Sequence, residues 1–452
     1  MSLHVIILAA GQGSRMKSAL PKVIHTLAGK PMLQHVLDTA KTLGADGIHV
    51  VVGHGADQVK DLVTDDVNWC YQAEQLGTGH AVAQAIDEIP KNAKVLILYG
   101  DVPLTAASTL QALIDGVTEE QLSLLTVYLE NPTGYGRIIR DESEDIIAIV
   151  EEKDTNKYER LVNEVNTGIL ALNSDLLHRY LPTLGNSNSQ SEYYLTDLIE
   201  IAVTNGCRVE AHQPQNEQEV QGVNNRLQLC ELECWYQSKV SEELMLAGVT
   251  LFDPNRIDVR GSLVCGQDVV IDLNCIFEGN VQLGEGVSIG PNCLIKNSSI
   301  AAHSTIFANS IIEDSTLDEN TIVGPFARFR PGTKLLAGAK VGNFVETKNT
   351  TVGLGSKVNH LSYVGDAILG ENVNIGAGTI TCNYDGVNKY KTEIGDGVFV
   401  GSNTSLVAPV KIGENATIGA GSTINREIEA DQLAIARSKQ RNIDGWIKPV
   451  KK

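Results

Sequence analysis

The chain has 452 residues, 42% hydrophobic and 20% charged, a soluble globular profile too long for one ordinary core, so two to three domains are expected. Its 36 basic residues are outnumbered by 55 acidic ones, and the net charge of −19 argues against nucleic acid as a partner. No apolar run reaches the ~18–20 residues of a membrane span, Met1 to Leu8 is too short for a secretory leader, and the cysteines show no CxxC spacing; a cytoplasmic protein without a membrane span is expected.

From the N terminus, HVIILAA reads as a buried strand and PMLQHVLDTAKTLG as a helix. GIHVVVG and DQVKDLV repeat that order, then GHAVAQAIDEI reads as a helix and KVLILYGDVPL as a strand ending in Asp101. Strands alternating with helices predict a Rossmann-like α/β domain with a mainly parallel sheet over residues 1–226. Ligands of such sheets collect beyond the carboxyl ends of the strands. That places the loop 8–22 and the segment 99–101 at one edge.

The loop LAAGQGSRMKSALPK, Leu8 to Lys22, fails two phosphate templates. A dinucleotide fingerprint needs a third glycine, where Ser14-Arg15-Met16 stands, and the P-loop pattern is absent. What remains is a small-residue strand end, Ala9-Ala10-Gly11, where backbone can approach a base or phosphate, followed by the cations Arg15 and Lys22. That arrangement suits a triphosphate, with Arg15 and backbone amides on the outer phosphates and Lys22 at the α-phosphate. Alone, the same cations read equally well as solvated loop charges, and Asp101 as a turn cap.

Residues 227–248 predict a connecting helix that stops at Gly248, with Leu227, Cys230, Cys234 and Leu244 as a partial apolar stripe and the two cysteines packed as small hydrophobes. Beyond it, over residues 249–452, the rhythm changes. An aliphatic residue recurs every sixth position at Ile394, Val400, Leu406, Ile412, Ile418 and Ile424, with upstream copies at Leu283, Ile289, Val341 and Ile375. Each hexapeptide supplies one short strand and a turn, its first residue pointing inward and its fifth kept small. Three close a triangular coil, and coils stack as a parallel β-helix. The pattern slips between Ile295 and Ile300, and fails over TCNYDGVNKYKTE, 381–393, which predicts an insertion extruded toward a working face. His360, third in VNHLSY, should point outward.

L-A-A-G-x-G-[ST]-R-M followed by P-K resembles the signature of sugar nucleotidyltransferases. QAEQLGTGH (72–80), YGD (99–101), TGYGR (133–137), EYYLTD (192–197) and GVNNR (222–226) continue the likeness in order. With hexapeptides following, the whole chain resembles the bacterial bifunctional N-acetylglucosamine-1-phosphate uridyltransferase/glucosamine-1-phosphate acetyltransferases. The resemblance implies a left-handed β-helix and synthesis of UDP-N-acetylglucosamine for cell-wall (peptidoglycan and lipopolysaccharide) precursors. Leu8, Ala9, Ala10, Gly11, Gln72, Gly77 and Thr78 would hold the uridine nucleotide, with Tyr99 and Gly100 beside Asp101. Gly136, Glu151, Asn166 and Asn224 would hold acetylglucosamine and its phosphate. Asp101 and Asn224 would bind Mg²⁺, a hard cation that needs few protein oxygens.

For the second activity, His360 matches the family's general base, and an imidazole can take a proton from an amine near neutral pH. Arg330, Lys348, Tyr363, Asn374 and Lys389 match its sugar-phosphate and active-site positions. Ala377, Asn383, Tyr384, Ser402, Ala420 and Arg437 match positions that hold acetyl-CoA, and the basic tail Arg437, Lys439, Arg441, Lys448, Lys451 and Lys452 would meet its phosphates. UTP, acetyl-CoA and the two sugar phosphates are the expected substrates, and a homotrimer the expected assembly. Two other classes share this domain layout: a nucleotidyltransferase whose solenoid only oligomerises or senses an effector, and a non-catalytic assembly protein. His360, Lys348 and Asn383-Tyr384 weigh against the first; Arg15, Lys22, Asp101 and Asn224 weigh against the second.

Overall fold

A computed structural model describes residues 1–63 and 65–451; Lys452, counted above in the basic tail, lies outside the described residues. The chain divides into two compact units, Met1–Trp235 and Tyr236–Lys452.

In chain order the first unit runs β1 (Leu3–Leu8), a hairpin of β2 (Thr26–Leu27) and β3 (Lys30–Pro31), α1 (Met32–Thr42), β4 (Gly47–Val52), α2 (Ala56–Leu62), β5 (Asn68–Tyr71), α3 (Thr78–Ala83), β6 (Lys94–Tyr99), α4 (Ala107–Asp115), β7 (Gln121–Tyr128), β8 (Arg137–Arg140), β9 (Ile146–Val150), β10 (Glu164–Asn173), α5 (Ser174–Tyr180), α6 (Asp197–Thr204) and β11 (Arg208–His212). The main sheet has the order β11-β7-β10-β6-β1-β4-β5, with β8 and β9 branching from β10. Its centre is parallel, and β10 runs antiparallel between β6 and β7. Parallel strands covered on both sides need apolar residues on both faces. Accordingly Ile6, Val51 and Ile97 enter one core cluster, while Val5, Ile7, Val50 and Leu96 enter the other.

Two elements differ from expectation. The helix expected over GHAVAQAIDEI ends at Ala83, and the chain tightens into a 3-10 turn at Ile86–Glu88, bringing Ala85 and Ile89 into the core. The strand expected to reach Asp101 ends at Tyr99, and Gly100-Asp101 turn away from the sheet.

The connecting helix, α7 (Arg226–Leu246), ends in a turn closed by Gly248 at φ +99, whose N–H donates to the Met245 carbonyl. Its expected stripe is wrong. Leu227, Cys230 and Cys234 are exposed. Within the first unit the helix packs through Leu229, Leu232 and Trp235 against Met16, Leu27, Met32 and Val223. Within the second, Val240 and Leu244 join the solenoid core. Leu244 is the one stripe residue that is buried, because the helix serves different neighbours along its length.

The second unit is a left-handed parallel β-helix. The six aliphatics in strict register, Ile394 to Ile424, are all buried. The fifth position is not kept small throughout: Val398, Val410 and Ile428 fill it as buried aliphatics beside Ala416. Where it carries a hydroxyl that group is spent internally, Thr404 Oγ1 donating to the Gly401 carbonyl (2.6 Å) and Ser422 Oγ to the Gly419 carbonyl (2.6 Å). Coils differ in length. Ile271 pairs with Ile289, 18 residues on, but Ile289 pairs with Ile306, 17 on. The shorter coils turn one corner through left-handed Asn297 and Asp314, which explains the slip near Ile295. The coil with the insertion needs 25 residues, from Ile375 to Val400. The extruded part is narrower than expected. Cys382 and Thr392 stay in the ladder, and a small hairpin between them is closed by an antiparallel bridge from Tyr384 to Lys389.

Leu335 is fully buried and its neighbour Leu336 is 37% exposed. Leu335→Ala should destabilise the solenoid by about 2–5 kcal/mol, and Leu336→Ala by much less. Calorimetry of the full chain checks this; equal losses would contradict the inward-outward assignment.

Candidate functional site

β1 and β6 lie side by side with Leu8 opposite Tyr99, so the chain leaves both strands at one edge. There Leu8, Ala9, Ala10, Gly11, Lys22, Gln72, Gly77, Thr78, Tyr99 and Asp101 line one cavity of ≈ 230 Å³. Its walls are set by backbone shape. Gly77 has φ +114, and a Cβ there would lie 2.6 Å from the Tyr193 carbonyl oxygen, so no other residue fits. Buried Gln72 donates from Nε2 to the Gly77 carbonyl (3.2 Å) and to His80 Nδ1 (3.0 Å). The Thr78 hydroxyl accepts from the Leu195 N–H (3.0 Å). Val23, Gln75, Ala81 and Glu192 also line the cavity and were not singled out from the sequence. Gln75 Nε2 donates to the Ala10 carbonyl (3.0 Å), fixing the strand end. Its place in the QAEQLGTGH motif was the available signal.

At the polar end, the Lys22 ammonium pairs with the Asp101 carboxylate and donates to Asn224 Oδ1 (3.2 Å). Arg15 donates to the same Asn224 oxygen (2.9 Å). The Val223 N–H donates to the Asp101 carbonyl (2.9 Å), which ties residues far apart in sequence to one point. Thus Asp101 and Asn224 already share one cation. Among the described residues there is no cluster of three or more His, Cys, Asp or Glu suited to a metal. One carboxylate and one amide oxygen are a donor set for a hard cation that fills its shell with water and phosphate oxygens.

A third group lies on β8 to β10. The Asn166 N–H donates to the Gly136 carbonyl (2.8 Å), and Asn166 Oδ1 accepts from the Gly168 N–H (2.9 Å). A Cβ on Gly136 would sit 3.6 Å from the Glu151 carboxyl. Burial pushes that carboxyl above its ordinary range, against the Thr196 hydroxyl that donates to it (3.1 Å). Tyr99 joins this group to the cavity. Its ring packs on Gly168, where a Cβ would lie 2.5 Å from Cε2, and burial followed by the Glu151 and Asp101 charges raises its phenol. Gly100 is close-packed too, since its Cβ would meet Val23 at 3.1 Å.

In the solenoid, the first residues of five hexapeptides, Val341, Val358, Ile375, Val400 and Ile418, stack in register. Their third residues therefore form a column: Asn343, His360, Ala377, Ser402, Ala420. Backbone bonds run along it, from Leu361 N to Asn343 O, Gly378 N to His360 O, Asn403 N to Ala377 O and Gly421 N to Ser402 O. At ~4.8 Å per coil the column spans roughly 19 Å. His360 and Ser402 are exposed, as the outward reading requires. Arg437 reaches the far end, donating to the Ala420 carbonyl (2.6 Å), and residues 438–451 beyond it are exposed. Asn374 lies on the strand entering this column, three residues before Ala377.

In another sheet of the solenoid, Arg330 and Lys348 occupy adjacent rungs. Lys389 and Arg330 push the Lys348 ammonium below its ordinary range, with the Asp366 carboxylate opposing them only in part. Glu346 answers Arg330 (3.0 Å). The Tyr363 ring covers Gly365, where a Cβ would lie 2.4 Å from the phenol oxygen. Asn383 is buried at the base of the hairpin and donates to Asp366 (2.5 Å), which also accepts from Asn349 (2.7 Å); Tyr384 is exposed at the hairpin's start. Asp366 and Asn343 are the neighbours that sequence reasoning missed, because both act through a coil above or below their own.

A family profile described as a MobA-like NTP transferase domain matches residues 5–150, and one described as bacterial transferase hexapeptide (six repeats) matches residues 391–426. Curated relatives match end to end. A "Bifunctional protein GlmU" of Marinobacter nauticus is 62% identical over 450 residues, covering 99% of each chain. Proteins of the same name are 56% identical in Cellvibrio japonicus, covering 100% of each chain, and 55% identical in Idiomarina loihiensis, covering 100% of this chain and 99% of the relative. The chain belongs to the GlmU family.

GlmU membership joins both units in one protein, and no helix among the described residues is long and apolar enough to cross a membrane. The packing of Gly168 on Tyr99 gives a test of how the GlmU cavity is built. Gly168→Ala, at φ +87, should cost the first unit about 1–3 kcal/mol and drive the Tyr99 ring toward the cavity. Calorimetric titration with a nucleoside triphosphate should then show binding weakened at least ~10-fold, the equivalent of about 1.4 kcal/mol. Unchanged affinity would contradict the coupling of Gly168 to the cavity.

Proposed function

We propose that this chain makes UDP-N-acetylglucosamine in two steps at two separate sites. At the solenoid, the acetyl group of acetyl-CoA passes to the amine of glucosamine-1-phosphate. At the sheet edge, UTP then gives its uridylyl group to N-acetylglucosamine-1-phosphate and pyrophosphate leaves. The observation that carries this is the His360 column and the cation group Arg330, Lys348 and Lys389 on one solenoid, in a chain that also holds a cavity at a strand edge. A solenoid serving only as a spacer needs neither.

In the acetyl step, His360 takes a proton from the sugar ammonium, and the freed amine attacks the thioester carbon. The C–N bond forms, the C–S bond breaks, and the thiolate leaves with a proton. Arg330, Lys348 and Lys389 hold the sugar phosphate by charge-assisted bonds. Acetyl-CoA lies along Ala377, Ser402 and Ala420, with Asn383, Tyr384 and Arg437 at its flanks, and Tyr363 and Asn374 line the sugar side.

In the uridylyl step, the sugar-phosphate oxygen attacks the α-phosphorus in line. The attacking phosphate is already ionised, so positioning and charge neutralisation replace a base. Leu8 to Gly11, Gln72, Gly77 and Thr78 seat the nucleotide, and Gly136, Glu151 and Asn166 seat the sugar. Lys22 and Arg15 offset the charge on the phosphates. Asp101 and Asn224 would hold Mg²⁺, which supplies further charge neutralisation at the phosphates when bound.

A homotrimer fits the solenoid surface. Phe326, Phe344 and Leu361 sit one above another at positive φ, and the two phenylalanine rings stack at 5.1 Å. They are 48%, 55% and 62% exposed. Large residues at positive φ are unusual, their stacking leaves all three about half exposed, and an exposed apolar column suits burial between copies. Phe344→Asp should convert a trimeric mass in light scattering to a monomeric one; an unchanged mass would remove this column from the interface.

Incubation with glucosamine-1-phosphate, acetyl-CoA, UTP and Mg²⁺ tests the two steps. Free thiol and pyrophosphate should both appear. His360→Ala should abolish thiol release and leave pyrophosphate formation from ready-made N-acetylglucosamine-1-phosphate intact. Asp101→Ala should do the reverse. Loss of both products in either variant would contradict two separate sites.

A further inference from the structure

Asn343 and His360 are paired residues of adjacent coils, each third in its hexapeptide. Asn343 Oδ1 lies 2.6 Å from His360 Nδ1. An amide oxygen only accepts, so the hydrogen must sit on Nδ1. Nδ1 is thereby engaged, and Nε2 is the imidazole atom left to face a ligand at the exposed side of the column. The stacking that places the two residues is stiff. A Cβ on Gly342 would lie 2.1 Å from the Asn359 carbonyl oxygen, so the preceding rung is in close backbone contact. The Leu361 N–H donates to the Asn343 carbonyl (3.1 Å), fixing the Asn343 backbone to the coil that carries the histidine.

We propose that Asn343 is a positioning residue for acetyl transfer: its side-chain oxygen holds neutral His360 as the Nδ1–H tautomer, which keeps the Nε2 lone pair free to accept the amine proton. This rests on His360 being the general base. A neutral histidine in water favours the opposite tautomer, with hydrogen on Nε2, which can accept no proton there. The bond made by one ring nitrogen decides which tautomer the other presents. Asn343 thus converts the idle form into the working one without touching substrate. Turning the amide over would place its NH₂ against Nδ1, put the hydrogen on Nε2 and remove the base.

Solid-state ¹⁵N spectra of the full chain, labelled at histidine and compared with His360→Gln for assignment, read the tautomer directly. In buffer alkaline enough to keep imidazoles neutral, His360 should carry its hydrogen on Nδ1. Asn343→Leu should move it to Nε2 and lower kcat for thiol release at least ~10-fold, within the ~10²–10⁴-fold that general-base catalysis supplies. KM for acetyl-CoA and pyrophosphate formation should stay unchanged. Asn343→Asp keeps an acceptor and should retain the Nδ1–H signal. An Nε2–H signal in the unsubstituted protein, or full kcat in Asn343→Leu, would overturn the role given to Asn343. Thiol release at full rate by His360→Gln would instead overturn the general-base reading beneath it. Should Asn343→Leu fail to fold, the spectrum of the unsubstituted protein still decides.

Discussion

Parallel, in-register strand pairing is the constraint on which both halves of this molecule depend. Parallel neighbours end on the same side, and a residue at one position of a strand meets its counterpart on the next. In the first unit this brings Leu8 and Tyr99 to one edge, so the turns after them share a cavity. In the second it turns a short repeat into columns, and residues 17 to 25 apart in sequence become neighbours. Neither arrangement needs long-range design beyond keeping register. That is why the inward first positions are mostly aliphatic, why the hydroxyls of Thr347 and Thr381 in that column are bonded inside the core, and why the insertion leaves the ladder.

A second theme is charge. The chain carries a net −19, yet each proposed site gathers cations. Lys22 and Arg15 converge on Asn224, and Lys22 also on Asp101. Arg330, Lys348 and Lys389 crowd together with Glu346 answering only Arg330. Like charges held close are unfavourable until an anion arrives, so such clusters gain most from phosphate. A globally acidic protein with small basic pockets repels polyanions broadly and still admits small phosphorylated substrates.

The solenoid was legible in the sequence because its period repeats many times, so that occasional slips do not hide it. The nucleotide loop was legible for a different reason: its motifs are local, and Gly77 and Asp101 lie within the segments that define them. What stayed hidden depends on partners elsewhere in the fold. Gly168 matters through Tyr99, a contact made only when β10 runs antiparallel beside β6. Asn343 and Asp366 act across coils, so their own hexapeptides give no hint. Cys230 and Cys234 were misread because α7 changes its buried face along its length, and a single helical period cannot follow that.

Hydrogen exchange on the full chain, with each ligand added alone, tests the two-site account most directly. Acetyl-CoA should slow exchange around Ala377, Ser402 and Ala420 and leave segments 8–22 and 72–80 unchanged. UTP with Mg²⁺ should do the opposite. Protection of the same unit by both ligands, or of neither column nor cavity, would contradict the account.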